Sequence, residues 1–182
     1  MTGFIAAFAA TFLLGTGARD QVLIAGLTAK LGKRVSLLAM GLLITALTVL
    51  AATWLAALIA AQLGIEKTRP VALLACALAG LEMVMVRLRR LPAEPTRSLG
   101  AITLVLIAFQ AVDAVRLASF ALVLVSITPA FTAAGAVLGA MTALGAGWML
   151  GQKFPAPRLA AIRGWLGIAI CVMAGTFLLI PR

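Results

Sequence analysis

The sequence predicts an all-α membrane protein of six transmembrane helices arranged as an inverted 3+3 repeat, on three observations. Hydrophobic residues fill 64% of the 182 positions and charged ones only 11%, with a mean hydropathy of +1.17, more apolar surface than a soluble domain of this length can bury. A spanning helix needs roughly 20 apolar residues, and about six such stretches follow one another with short connections. Finally, residues recur at a common spacing. Cys76-Ala77-Leu78-Ala79-Gly80 matches Cys171-Val172-Met173-Ala174-Gly175, 95 positions on, and Gly41, Thr48 and Trp54 match Gly135, Thr142 and Trp148, 94 positions on. Homologous halves of three spans each must insert with opposite orientation. The expected division is 1–91 for the first three-helix repeat, 92–98 for a cytoplasmic linker and 99–182 for the second repeat.

The first span runs from about Phe4 to Ala29; Met1-Thr2-Gly3-Phe4 carries no basic n-region, so it reads as a span and not as a secretory signal. Gly15-Thr16-Gly17-Ala18-Arg19-Asp20-Gln21 interrupts it near the middle. Two glycines beside two charges suit a locally unwound segment that lines a cavity, a continuous helix being the alternative. Val35 to Ala61 makes the second span and Gln62 to Arg69 a polar loop. The third span opens at Pro70, whose missing N–H has no partner in a first turn, and closes at Arg87, Arg89 and Arg90. The fourth runs from about Leu99 to Ser126, the fifth from Pro129 to near Leu150, and the sixth from Gly164 to Ile180. All seven prolines fall at segment ends, so a break within a span is expected only at glycine. Gly135-x-x-x-Gly139 and Gly147-x-x-x-Gly151 have the spacing that lets helices approach closely, expected within the chain, with a homodimer seam as the alternative.

The net charge of +10 sits in the connections, where the positive-inside bias accounts for it without a nucleic-acid partner. Lys30, Lys33, Arg34, Arg87, Arg89, Arg90, Arg97, Lys153, Arg158 and Arg163 fall in the first, third and fifth connections, against Lys67, Arg69 and Arg182 on the other side. The bias places the former in the cytoplasm and both termini outside, in a multi-pass protein of the cell (inner) membrane whose partners are the lipid bilayer and a small ion or small-molecule substrate. The chain has no His, Asn or Tyr, which excludes a His proton relay or imidazole metal site and N-glycosylation. Cys76 and Cys171 lie within spans, as packing residues. No cofactor is expected, and no enzyme activity, since no nucleophile has a base to activate it.

Asp113 lies near the centre of the fourth span, where an ionised side chain costs about 2.5 to 3.5 kcal/mol even on a lenient scale, so a partner is required. Gln110, Asp113 and Arg116 follow an i, i+3, i+6 spacing along one face of a continuous helix. An inverted repeat brings the first and fourth spans together at the midplane, where Arg19 is expected to pair with Asp113 and Asp20 with Arg116. Asp113 and Asp20 would then bind a cation, as metal ligands, or carry protons, with Gln110, Gln21 and Thr16 supplying neutral oxygens. The structural alternative is a set of buried salt bridges that fix helices. Glu82, in the third span, is expected to snorkel to the basic interface.

The pattern resembles the small six-helix calcium/manganese:proton antiporters of the lysine-exporter-like superfamily, each half of which carries Glu-x-Gly-Asp-(Lys/Arg)-(Ser/Thr), often followed by Gln. Phe12-Leu13-Leu14-Gly15-Thr16-Gly17-Ala18-Arg19-Asp20-Gln21 fits that frame with Gly17, Arg19 and Gln21 in place, and Leu31-Gly32-Lys33-Arg34 is similar to the family's basic turn. Gln110-Ala111-Val112-Asp113 keeps the second Asp and replaces the Glu by its amide. Gly15 stands at the first Glu position and Ala18 at the first Asp position, while Ala114 and Val115 replace the second motif's basic and hydroxyl residues. The resemblance implies proton-coupled export of manganese or calcium. The motifs' own net charge of −2 is here reduced to zero by Arg19 and Arg116 against Asp20 and Asp113. Such a site also suits a small zwitterion, as carried by lysine-exporter-like proteins, and a scaffold that transports nothing is the third reading.

Overall fold

The computed structural model describes residues 1–85 and 98–179, and those residues are helical with no strand among them. The expected 92–98 linker, the basic cluster at Arg87, Arg89, Arg90 and Arg97, and Arg182 lie outside the described residues, Ser98 of the linker excepted. Helix α1 (Thr2–Gly15) and helix α2 (Arg19–Leu31) follow one another at 59°. Helix α3 (Val35–Leu63) and helix α4 (Ile65–Met85) are joined by a single glycine, Gly64, at φ 71°. Helix α5 (Leu99–Gln110) and helix α6 (Ala114–Leu124) form a second bent pair, at 53°. Helix α7 (Pro129–Leu150), a 3-10 turn at Gly151–Lys153 and helix α8 (Ala156–Leu179) complete the chain. Among the described residues four helices are long and apolar enough to cross a membrane, or up to six spans if each bent pair is one.

The surface has the character of a membrane protein's. Large apolar side chains stand out all round it, Leu104 at 71% exposure, Trp54 at 67%, Phe131 at 63% and Trp165 at 75% among them. In water so much exposed apolar surface would drive aggregation, whereas acyl chains solvate it without cost. Packing inside the bundle relies instead on small residues. Helix α1 lies along α7, where a methyl group on Gly135 would fall on the Phe4 carbonyl and one on Gly139 on the Phe8 carbonyl and the Thr11 hydroxyl. The same strip without side chains continues at Gly147, where an added Cβ would sit 2.6 Å from Gln21 Cγ on α2. The small-residue motifs of the fifth span are therefore occupied within the chain. Helices α4 and α8 meet through Gly80 and Gly167, and an added Cβ on Gly80 would lie 2.6 Å from both Cys171 Sγ and the Gly167 carbonyl.

Several sequence expectations are corrected here. The 62–69 loop and the Pro70 start do not exist as such: α3 runs to Leu63 and α4 starts at Ile65, placing Pro70 inside α4. Glu66, Lys67 and Arg69 thus sit on the opening turns of a helix, Glu66 and Lys67 exposed and Arg69 half-buried. The last helix begins at Ala156, well before Gly164, so Arg163 belongs to a helix and not to a connection. The fourth span is not continuous, and its break contains neither glycine nor proline, only Ala111, Val112 and Asp113. A carboxylate provides what glycine was expected to provide: Asp113 is extended (φ −122°, ψ 166°) and its Oδ1 accepts the Arg116 backbone N–H at 2.9 Å, capping a new helix.

Candidate functional site

Both mid-span breaks are built from local preferences. In the first, Gly17 takes φ 79°, a left-handed conformation that a side chain would strain. Its N–H is taken by Gln21 Oε1 (2.6 Å), while Gln21 Nε2 donates to the Ala143 carbonyl of α7 (2.6 Å). In the second, the Asp113 cap starts α6. The two breaks together expose four helix ends to the interior: the N-termini of α2 and α6, with free N–H groups and partial positive charge, and the C-termini of α1 and α5, with free carbonyls and partial negative charge.

The charged side chains sort onto these ends by sign. Asp20 lies in the first turn of α2 and accepts the Gln21 backbone N–H at Oδ1 (2.8 Å), and Asp113 caps α6. Both carboxylates then meet one guanidinium: Arg116 Nη1 lies 2.7 Å from Asp113 Oδ2 and 3.4 Å from Asp20 Oδ2. Asp20, Asp113 and Arg116 are all buried, at 6%, 3% and 4% exposure. The remaining edge of Arg116 is satisfied by a hydroxyl on α3, with Nε and Nη2 donating to Thr48 Oγ1 at 3.1 and 2.9 Å. Gln110, fully buried at the end of α5, ties the group together. Its Nε2 donates to Asp20 Oδ2 (2.8 Å) and Thr45 Oγ1 (2.9 Å), and its Oε1 accepts from Thr48 Oγ1 (3.0 Å).

A second cluster serves the carbonyl ends. Arg163 Nη1 on α8 donates to the Leu14 carbonyl near the end of α1. Arg19 Nη2 lies 3.4 Å from the Phe109 carbonyl and 3.5 Å from that of Val112, with its guanidinium 5.4 Å from the Phe109 ring centroid. Glu82 on α4 bridges these two arginines, with Oε1 3.2 Å from Arg19 Nη2 and Oε2 2.7 Å from Arg163 Nη2. The Glu82 side chain is buried, at 8% exposure.

Of the expected site residues, the fold brings together Asp20, Gln110, Asp113 and Arg116, and the Asp20–Arg116 pair is present. The Arg19–Asp113 pair is not formed: Arg19 is drawn to Glu82 and to the α5 carbonyl end. The single helical face for Gln110, Asp113 and Arg116 is replaced by two helices meeting at a cap, which still gathers the three. Thr16 turns its hydroxyl back to the Phe12 carbonyl (2.8 Å), and Gln21 serves the first break and α7, so neither faces the carboxylates. Glu82 does not snorkel, because the guanidinium groups of half-buried Arg19 and buried Arg163 give it better partners than the interface does. Thr45, Thr48, Glu82 and Arg163 complete the two clusters without having been expected there. A hydroxyl pair at i, i+3 in the middle of an apolar span, and ionisable residues within reach of the third and sixth spans, are the signals that carried them.

No family model, curated protein or solved structure matches this chain. The site's chemistry therefore rests on its own geometry. Among the described residues no group of three or more His, Cys, Asp or Glu side chains is arranged to hold a metal ion; the two buried carboxylates share a guanidinium instead. A cavity of about 520 Å3 reaches this cluster between α3, α4 and the second break, with Thr48, Gln110 and Arg116 as its polar part and Leu55, Leu74 and Phe120 among its walls.

Proposed function

We propose that the protein is an integral membrane transporter, a proton-coupled cation exporter whose substrate site is the junction of the two mid-span breaks. The observation that carries this reading is the meeting of two buried carboxylates, Asp20 and Asp113, on the single guanidinium of Arg116. Buried ion pairs seldom repay their desolvation by stability alone, and discontinuous helices whose ends line a shared site are an arrangement suited to alternating access. An inverted 3+3 repeat is supported by register. Gly15 and Gln110 end α1 and α5, and Ala18 and Asp113 cap α2 and α6, at the same 95-residue separation as Cys76 and Cys171. In that register Ala18, not Asp20, is the counterpart of Asp113, in keeping with the motif frame of the calcium/manganese:proton antiporters.

The withdrawal of Arg19 onto Glu82 changes the charge count at the site. Asp20, Asp113 and Arg116 carry a net −1 when ionised, so a cation entering between the two Oδ2 atoms takes the place of Arg116 Nη1. Gln110 Oε1, Thr45 and Thr48 supply neutral oxygens beside it. Protonation of the carboxylates then releases the ion, which makes Asp113 the principal ligand and proton carrier and Asp20 its partner. Manganese or calcium is the cation the resemblance implies. The basic Lys30, Lys33 and Arg34 turn faces the cytoplasm in this reading, with the termini outside and the inner membrane as its location.

The cavity beside Arg116 favours a second reading, since about 520 Å3 holds a small organic solute as well as an ion. A lysine-exporter-like carrier of a zwitterion would place its carboxylate on Arg116 and its ammonium on Asp20 or Asp113. Proteoliposomes loaded with a pH dye and a cation reporter separate the readings. Manganese- or calcium-driven proton flux that is lost in Asp113→Asn and Asp20→Asn supports the exchanger. Amino-acid counterflow without ion flux selects the zwitterion carrier, and no flux of either kind leaves a scaffold with structural ion pairs.

A further inference from the structure

We infer that Glu82 is the positioning residue that holds both mid-span breaks in register, acting through Arg19 and Arg163. The inference rests on the transporter reading only for its consequence in turnover; the latch itself is a matter of geometry. Glu82 belongs to neither broken span, yet each of its carboxylate oxygens grips a different arginine, at 3.2 and 2.7 Å. Each arginine in turn reaches carbonyls at the C-terminal end of a different broken helix: Arg163 the Leu14 carbonyl of α1, Arg19 the Phe109 and Val112 carbonyls at the end of α5. Those carbonyls lack the N–H partners that an unbroken helix would give them, and a guanidinium is the group best suited to their partial negative charge. Two guanidiniums side by side in a low-dielectric interior repel, and Glu82 is the anion that lets them share the space. Arg19 is also the first residue of α2, so the same contacts stitch the first break to the second. Among the described residues the network shares no hydrogen bond with the Asp20–Asp113–Arg116 cluster, but the Glu82 charge acts on Asp113 through space.

Neutralising Glu82 leaves Arg19 and Arg163 without their common counter-ion and frees both carbonyl ends. Removing one arginine frees one end. Hydrogen–deuterium exchange on the detergent- or nanodisc-held protein reads this directly, in peptides covering 12–18 and 107–113. Glu82→Gln is expected to speed exchange on the order of tenfold or more in both segments, as loss of a charge-assisted hydrogen bond predicts, with α3 and α7 unchanged. Arg163→Gln is expected to loosen 12–18 and leave 107–113 as in the parent protein; Glu82→Asp is expected to restore part of the protection. In vesicles, Glu82→Gln should lower the maximal rate of cation/proton exchange by a larger factor than it changes the half-saturating cation concentration, since it removes a charge acting on Asp113 through space but no substrate contact. Unchanged exchange at both breaks in Glu82→Gln overturns the inference, as does a uniform increase over the whole bundle, which is the mark of general destabilisation. Should Glu82→Gln fail to fold, Arg163→Gln, which keeps the Arg19–Glu82 pair, decides by whether its effect is confined to the first break. A parent protein that moves no cation refutes the cation-exchanger reading and leaves the exchange pattern to judge the latch.

Discussion

Replacing Asp113 by Asn and by Ala separates the two tasks of its carboxylate. Oδ1 caps α6 through the Arg116 backbone N–H at 2.9 Å, and Oδ2 holds the Arg116 guanidinium at 2.7 Å. Asparagine is as good a cap as aspartate, so Asp113→Asn keeps the first and weakens only the second, a charge-assisted bond whose loss costs about 1.5–3 kcal/mol. The cost stays below the roughly 3–5 kcal/mol of a fully stranded buried charge, because Asp20 Oδ2 lies 3.4 Å from the same Nη1. Asp113→Ala also removes the cap and should cost about 0.5–2 kcal/mol more. Reversible unfolding in mixed micelles, followed by circular dichroism, measures the ladder, and exchange in proteoliposomes should be abolished in both variants. Equal stability of the Asn and Ala variants would refute the claim that the cap makes the second break. A loss above about 5 kcal/mol in Asp113→Asn would show that Asp20 does not share Arg116.

Two further perturbations test the packing and the rest of the cluster. Gly135→Ala and Gly139→Ala each push a methyl onto an α1 carbonyl and should destabilise by about 1–3 kcal/mol or more. The control Gly145→Ala, with nothing within 4 Å of the added Cβ, should be neutral or stabilising by up to about 1 kcal/mol; the same unfolding assay compares them. Thr48→Val removes the acceptor of two Arg116 N–H groups and the donor to Gln110 and should cost about 1–3 kcal/mol. Its match in the second half, Thr142, bonds only to the Leu138 carbonyl, so Thr142→Val should change stability by no more than about 0.5 kcal/mol.

What the sequence made legible follows from the range of each interaction. The spans were readable because apolar length is a local property, and the 129–150 helix was read at its observed bounds. The first break was readable because Gly17 needs a conformation that its own residue type signals. The second was hidden, since Ala111-Val112-Asp113 has no breaking residue and the cap competes with helix continuation only where the Arg116 guanidinium is also placed to hold the carboxylate's other oxygen. Asp20, Gln110, Asp113 and Arg116 were found because charge and amide in an apolar span need explaining. Their partners were mispaired at Arg19 because Glu82 competes for it, and choosing between two carboxylates requires knowing that α4 and α8 pack together through Gly80 and Gly167.

The two breaks differ in what holds them, and the difference bears on mechanism. The first is held by a neutral amide, Gln21 Oε1 on the Gly17 N–H, which neither a proton nor a cation titrates. The second is capped by Asp113, whose other oxygen is the proposed ligand. A cation or proton arriving at Oδ2 draws electron density from Oδ1 and weakens its bond to the Arg116 N–H, while also displacing the Arg116 guanidinium that follows in the same turn. Ligand state is thereby linked to the cap that starts α6, and also to the first turn of α2, where Asp20 Oδ1 accepts the Gln21 N–H. In an exchanger built this way the two junctions differ in restraint: only the α1–α2 junction has its glutamine tied to α7, through Gln21 and Ala143, so the α5–α6 junction is expected to move further on loading.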